Sequence, residues 1–243
     1  MIETWKTLSP VRFLDHASAV FGDRVAVVDG ERRFTYRELA DRSAALTGLL
    51  AARGIGPGDR VAALCSNSYV MLELHNGVPM RGAVLVPLNI RLSEAELRFI
   101  VGHSGASLLV VTREFTDVGN RLAEVTGISV LHADYEGMSY ERELEGAAPA
   151  RLDPEDERTM LAINYTSETT GAPKGVMYHH RGAYLQALAM AYHVNLRPGS
   201  VYLWTAADVP LQRLEFPLGG HCGGRHARVP PQREQRRNLE TPS

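Results

Sequence analysis

Short apolar runs alternate along this chain with stretches whose apolar residues recur every three or four positions. Val11, Phe13, Leu14, Val20 and Phe21 predict a helix over Pro10 to Phe21. Arg24 to Val28 and Arg33 to Thr35 predict two strands, with the turn pair Asp29-Gly30 between them. Thr35 and Glu38 have the spacing of a capping box and open a helix, whose Leu39, Leu46 and Leu50 share a face and which Gly54 closes. Arg60 to Leu64 predicts a buried strand, and Tyr69 to Gly77 a helix ended or kinked near Pro79. A strand over Ala83 to Leu88 follows, then a second capping box, Ser93 and Glu96, ahead of Leu97, Ile100 and Val101. Leu108 to Val111 predicts a strand, Val118 to Val125 a weaker helix, and Ile128 to Leu131 another strand. Strands alternating with amphipathic helices imply an α/β fold, with mostly parallel sheets and helices packed on them.

The polar, acidic stretch Glu136 to Arg158, with Pro149 and Pro154, predicts an exposed connection. It divides the chain into a first α/β subdomain over 8–150 and the start of a second over 151–205. The second holds a strand at Leu161 to Tyr165, a helix over about Arg181 to Val194 and a strand at Val201 to Thr205. Composition adds mainly exclusions. A net charge of −2 and 44% apolar content over 243 residues do not describe an electrostatic nucleic-acid binder. Cys65 and Cys222 are too few and too far apart for a metal site or a disulfide framework. The N-terminus lacks the basic and apolar regions of a secretory signal, and no run approaches the roughly 18 apolar residues of a membrane span. A cytoplasmic location is expected.

The most informative stretch runs from Tyr165 to Val176. An apolar run delivers four hydroxyl side chains, Thr166, Ser167, Thr169 and Thr170, followed by Gly171, Pro173, Lys174 and Gly175. Hydroxyls and free backbone N–H groups in a glycine-rich turn after a strand form a concave anion site. Lys174 adds a point positive charge suited to a phosphate oxygen. Of the 26 basic residues only Lys6 and Lys174 are lysines, so its placement stands out. The spacing is not that of a P-loop NTPase, because no Ser or Thr follows Lys174.

The run Thr-Ser-x-Thr-Thr-Gly-x-Pro-Lys-Gly resembles the signature of the adenylate-forming acid–CoA ligases, the acyl-CoA synthetases of the AMP-binding family. Phe34 to Leu39, Gly56 to Val61, Gly82 to Asn89 and His103 to Ala106 resemble further segments of that family, in the same order, over about residues 8–205. The resemblance implies that Thr166, Ser167, Glu168, Thr169, Thr170, Gly171 and Lys174 surround the β- and γ-phosphates of ATP. Glu168 departs from the pattern, which usually has glycine there. The implied partners are a carboxylic acid, ATP with Mg2+, and CoA. The acid and ATP give an acyl-adenylate and pyrophosphate, and the CoA thiol then displaces AMP. No catalytic residue is assigned, and no protein metal ligand is expected.

The later adenine and ribose motifs of such ligases, and the lysine of their C-terminal domain, have no counterpart here. The chain is therefore expected to be a truncated N-terminal domain that does not complete thioester synthesis as written. The alternative is a non-catalytic nucleotide-binding or unfolded remnant. After Thr205 the composition changes, with five of the 13 prolines and six arginines in the remainder, and 206–243 is expected to be a disordered tail. Written in GC-rich codons and shifted by one base, Ala206 to Leu214 can read Leu-Pro-Met-Phe-His-Cys-Asn-Gly, which resembles the next ligase motif. The tail is thus expected to be a shifted reading frame, with the ordered core ending near Thr205 at an unpaired sheet edge.

Elsewhere, His179 and His180 are adjacent and so cannot pair on one ligand, because neighbouring helical residues face apart. Tyr184, Leu188, Met190 and Ala191 read as core in preference to an acyl-pocket lining. Cys65 reads as packing, and Glu73, His75 and Asn76 as solvated surface.

Overall fold

Both capping boxes form as spaced. Thr35 Oγ1 accepts from the Glu38 amide while the Glu38 carboxylate accepts from the Thr35 amide, and Ser93 with Glu96 repeats the exchange. The computed structural model describes residues 6–133, 139–166, 173–197 and 199–204, together with the backbone of 226–229. In chain order the elements are α1 (Val11–Phe21), β1 (Val25–Asp29), β2 (Arg32–Thr35), α2 (Tyr36–Ala52), β3 (Arg60–Leu64) and α3 (Tyr69–Met80). They continue with β4 (Val84–Pro87), α4 (Glu94–Ser104), β5 (Ala106–Thr112), α5 (Thr116–Thr126), β6 (Ser129–Ala133) and α6 (Ser139–Glu145). The last are β7 (Met160–Thr166), β8 (Lys174–His179), α7 (His180–His193), β9 (Val201–Leu203) and β10 (His226–Val229).

Six strands form a sheet in the order β6-β5-β3-β4-β7-β8, parallel except for the terminal β7–β8 pair. Its inner strands are apolar on both faces because both faces are covered. Val61, Ala63, Leu85, Leu108 and Val110 join a core with α1, α2 and α3, whereas Ala62, Leu64, Val84, Val86, Leu109 and Val111 face the core under α4 and α5. The strand placed by the sequence in a second subdomain lies within this sheet, with Ala162 opposite Leu85.

α3 departs from expectation. It runs through Pro79 to Met80, and every one of its residues is buried. Pro79 has no N–H to donate to the carbonyl four residues earlier, and the helix ends one residue later, at Met80. α2 crosses so closely that a Cβ on Gly77 would lie 2.7 Å from Leu46 Cδ2. Glu73, His75 and Asn76 are therefore core and not surface, at 0%, 1% and 0% exposure. Asn76 Nδ2 donates to the Leu72 carbonyl at 2.9 Å, and His75 Nδ1 lies 2.7 Å from the Met71 carbonyl. Glu73 accepts from Arg42 and, at 2.5 Å, from Tyr140.

Tyr140 belongs to α6, inside the stretch expected to be an exposed connection. Tyr140 and Leu144, four apart and so on one face, are buried. Glu141 and Glu143 of the same helix pair with Arg42 and Arg53 at 2.9 and 2.7 Å. Beyond it, Ala150 and Leu152 are bonded to Thr47 and Met80. The acidic composition that suggested solvent instead supplies partners for Arg42 of α2 and for Arg53, which caps its C-terminus.

The remaining sheet has the order β2-β1-β10-β9. β10 runs parallel to both neighbours, with Ala227 opposite Val27 and Tyr202. For these four residues the expectation of a disordered tail is corrected, and β9 is paired through them. A ladder bonds through backbone groups and demands little of the side-chain pattern. The rest of 205–243 lies outside the described residues.

Candidate functional site

β7 carries Leu161, Ala162, Ile163 and Tyr165 into the sheet interior and surfaces at Thr166, which is half-buried. The chain returns as β8, an antiparallel strand absent from the sequence reading, which passed from the loop straight into α7. β7 and β8 thus form an antiparallel hairpin whose open end lies at the carboxyl end of β7. Thr166 stands opposite Lys174, Tyr165 opposite Gly175 and Asn164 opposite Val176. The carboxyl ends of parallel strands are where open α/β sheets hold ligands. The ends of β3, β4 and β5, at Leu64, Pro87 and Thr112, lie on this same side of the sheet.

Of the predicted phosphate-contacting residues, the structure brings Thr166 and Lys174 together as one rung at the hairpin mouth. Lys174 is exposed there. Ser167, Glu168, Thr169, Thr170 and Gly171 lie outside the described residues. Gly175 is fixed by space. A Cβ there would meet Ile163 Cγ2 at 3.0 Å and the Tyr165 ring at 3.2 Å, tighter than a side chain comfortably packs.

Sequence reading missed what surrounds Tyr165. Its ring is buried, and its hydroxyl lies 2.7 Å from His103 Nδ1 at the end of α4. Burial raises the phenol pKa, so the hydroxyl keeps its proton and shares a hydrogen bond with the imidazole. The His103 ring in turn stacks on Phe99, with centroids 5.3 Å apart. On the other side of β7, Asn164 is 1% exposed, and neither its Oδ1 nor its Nδ2 is hydrogen-bonded among the described residues. A polar residue inside the apolar run Leu161 to Tyr165 was the available signal for it.

The two histidines beyond the hairpin point apart. His179 caps α7, its Nδ1 accepting from the Gly182 amide at 2.9 Å. His180 is buried and shares a 2.8 Å hydrogen bond with Ser9 Oγ. Burial, helped by His179, lowers the His180 pKa to about 4, so the ring is neutral near pH 7. α7 packs through His180, Ala183, Tyr184 and Ala187, with Tyr184 stacked on Phe13 at 4.6 Å. Leu188 falls off that stripe and is 41% exposed, which corrects the reading of it as core.

The mixed α/β architecture, with its mostly parallel six-stranded sheet, is that of the N-terminal domains of adenylate-forming enzymes. An inhibitor-bound N-terminal domain of FACL13 from Mycobacterium tuberculosis superposes with a TM-score of 0.84 at 26% identity, covering 93% of this chain and 57% of that one. The chain belongs to the AMP-binding enzyme family, whose sequence profile matches residues 14–209. Among curated relatives, the peroxisomal acetate/butyrate–CoA ligase AAE7 of Arabidopsis thaliana is 36% identical over 235 residues, covering 83% of this chain and 40% of the relative. The 4-hydroxybutyrate–CoA ligase 2 of Metallosphaera sedula is 35% identical over 251 residues, covering 88% and 45%. The chain therefore spans less than half the length of these relatives.

Proposed function

We propose that this chain is the N-terminal part of an ATP-dependent, AMP-forming acid–CoA ligase, and that its β7–β8 hairpin holds the β- and γ-phosphates of ATP. The observation that carries the reading is the Thr166–Lys174 rung, which sets a hydroxyl beside an ammonium at the open end of a parallel-sheet strand. Lys174 offers a mobile point charge for the phosphates, and the hydroxyls from Thr166 to Thr170 donate to their oxygens. In nucleotidyl transfer the protein chiefly positions groups and stabilises charge, which is what such a cradle can do.

The substrate class is a carboxylic acid, as the names of both curated relatives suggest, and CoA is the acceptor. Magnesium would enter on the nucleotide. Among the described residues no group of three or more His, Cys, Asp or Glu could cage a metal, whereas phosphate oxygens suit Mg2+. Among the described residues no helix is long and apolar enough to cross a membrane. Titration of magnesium ATP by calorimetry tests the reading. The full chain should bind, and Lys174→Ala should weaken binding at least tenfold; equal affinity for both would refute the hairpin as the phosphate site.

The second reading is a nucleotide-binding protein without ligase activity. Acyl-CoA formed from acid, ATP and CoA by the purified chain, above a Lys174→Ala control, would exclude it.

A further inference from the structure

We infer that His103 is a positioning residue for the phosphate hairpin, acting through Tyr165 to hold the Thr166–Lys174 rung in place. This rests on the reading of the hairpin as a nucleotide site. Tyr165 is the last buried side chain before the hairpin opens, and its backbone faces Gly175 across the ladder. Because Gly175 has no Cβ, the Tyr165 ring can lie against its backbone, 3.2 Å from where a side chain would begin. The phenol cannot slide along the strand without moving β8. Its far end is fixed by the 2.7 Å bond to His103 Nδ1, and the two rings meet edge to face at 5.8 Å.

His103 is itself braced. It sits in the last turn of α4, stacked on Phe99 one turn earlier. α4 begins at its own capping box and ends at Gly105, whose φ of 63° stops the helix. That end is pinned from β3, where Arg60 Nε donates to the Ser104 carbonyl at 2.9 Å and Arg60 Nη2 to the Gly105 carbonyl at 2.6 Å. An unbroken set of contacts thus runs from the middle of the sheet, through α4 and His103, to the residue preceding Thr166. β8 lies at the sheet edge and is exposed along most of its length. Without this brace β8 would be held at the rung chiefly by its ladder with β7, which is itself paired with β4.

Two measurements on the full chain test this. Without nucleotide, amide exchange at Thr166, Lys174 and Gly175 should speed up severalfold in His103→Ala and in Tyr165→Phe, while the amides of β3 and β5 stay protected. His103→Asn, whose amide can accept or donate in place of Nδ1, should restore protection. With magnesium ATP, His103→Ala and Tyr165→Phe should each weaken binding roughly three- to tenfold, the size expected for one hydrogen bond. The double variant should be little worse than either alone. Unchanged exchange at the rung in His103→Ala overturns the inference, whatever ATP does. So does wild-type ATP affinity in that variant. If the wild type binds no ATP yet the exchange responds as expected, the nucleotide reading fails and the brace stands.

Discussion

Tyr140 donates a 2.5 Å hydrogen bond to Glu73, and both side chains are wholly buried. The bond joins α6, drawn from an acidic connecting stretch, to the most enclosed helix of the fold. Arg42 reaches the same carboxylate and also Glu141, so two carboxylates, a guanidinium and a phenol satisfy one another. Removing Glu73 takes the acceptor from the buried Tyr140 hydroxyl and leaves Arg42 with Glu141 alone. Glu73→Ala should lower stability by about 1–3 kcal/mol, the usual cost of a buried polar group left without its partner. Tyr140→Phe should cost about 1–3 kcal/mol. Urea unfolding reads both, and a loss below about 1 kcal/mol for Glu73→Ala would show the network to be dispensable.

His180 gives stability a pH dependence. Its pKa is about 4 in the folded chain, against about 6.5 when unfolded. The unfolded state therefore takes up a proton that the folded state refuses, and acid favours unfolding. The contribution is fully present above pH 6.5 and is lost as pH falls toward 4, up to about 3 kcal/mol in all. His180→Gln should flatten the stability profile across that window. A profile as steep as the wild type's would assign the slope to other groups.

In the proposed phosphate site, a glutamate at position 168 would oppose ATP. At about 5 Å from a phosphate charge, with an effective dielectric near 20, the repulsion would be on the order of 3 kcal/mol. Glu168→Gly should then tighten ATP binding roughly a hundredfold. Calorimetry giving equal affinities for the two chains would sink the idea.

Asn164 is enclosed, with both side-chain polar atoms unbonded among the described residues. An unmet buried amide costs about 1–3 kcal/mol relative to an apolar group of similar shape. Asn164→Leu should leave the thermal midpoint unchanged or raise it. A clear drop would mean that the amide is bonded in solution.

The reading of the region beyond codon 205 is settled by DNA. Resequencing should reveal one extra base near codon 206, with the Leu-Pro-x-Phe-His-x-x-Gly motif continuing in the restored frame. A downstream frame without that motif would falsify the shift.

What the sequence disclosed was mostly local. Thr35 with Glu38 and Ser93 with Glu96 are self-contained signals, since every atom of a capping box lies within four residues. The apolar runs of β3, β4 and β5 likewise announce strands covered on both faces. Glu73 was misread because its burial depends on Arg42 and Tyr140, far away in the chain, and no local pattern encodes their approach. α6 was missed because a seven-residue helix carried by Tyr140 and Leu144 alone has almost no periodicity. β8 escaped for another reason: at a sheet edge, with an exposed face, Lys174 to His179 becomes a strand only through its pairing with β7. At the site, residue types were legible in the hydroxyl run and Lys174. Their arrangement as a rung, and its brace from His103, required the tertiary fold.

The strand order β2-β1-β10-β9 also sets a sequence of events during synthesis. β1 waits for a neighbour that is translated some 200 residues later, Val27 for Ala227. The six-stranded sheet has all its strands once His179 has left the ribosome, so it can close first. The smaller sheet cannot close until Val229 emerges. Pairings of such long range are slow to form and leave an open strand edge in the meantime. For most of its time on the ribosome, β1 would depend on β2 and the helices beneath it, and nascent chains stalled before His226 should bind holdase chaperones through that edge.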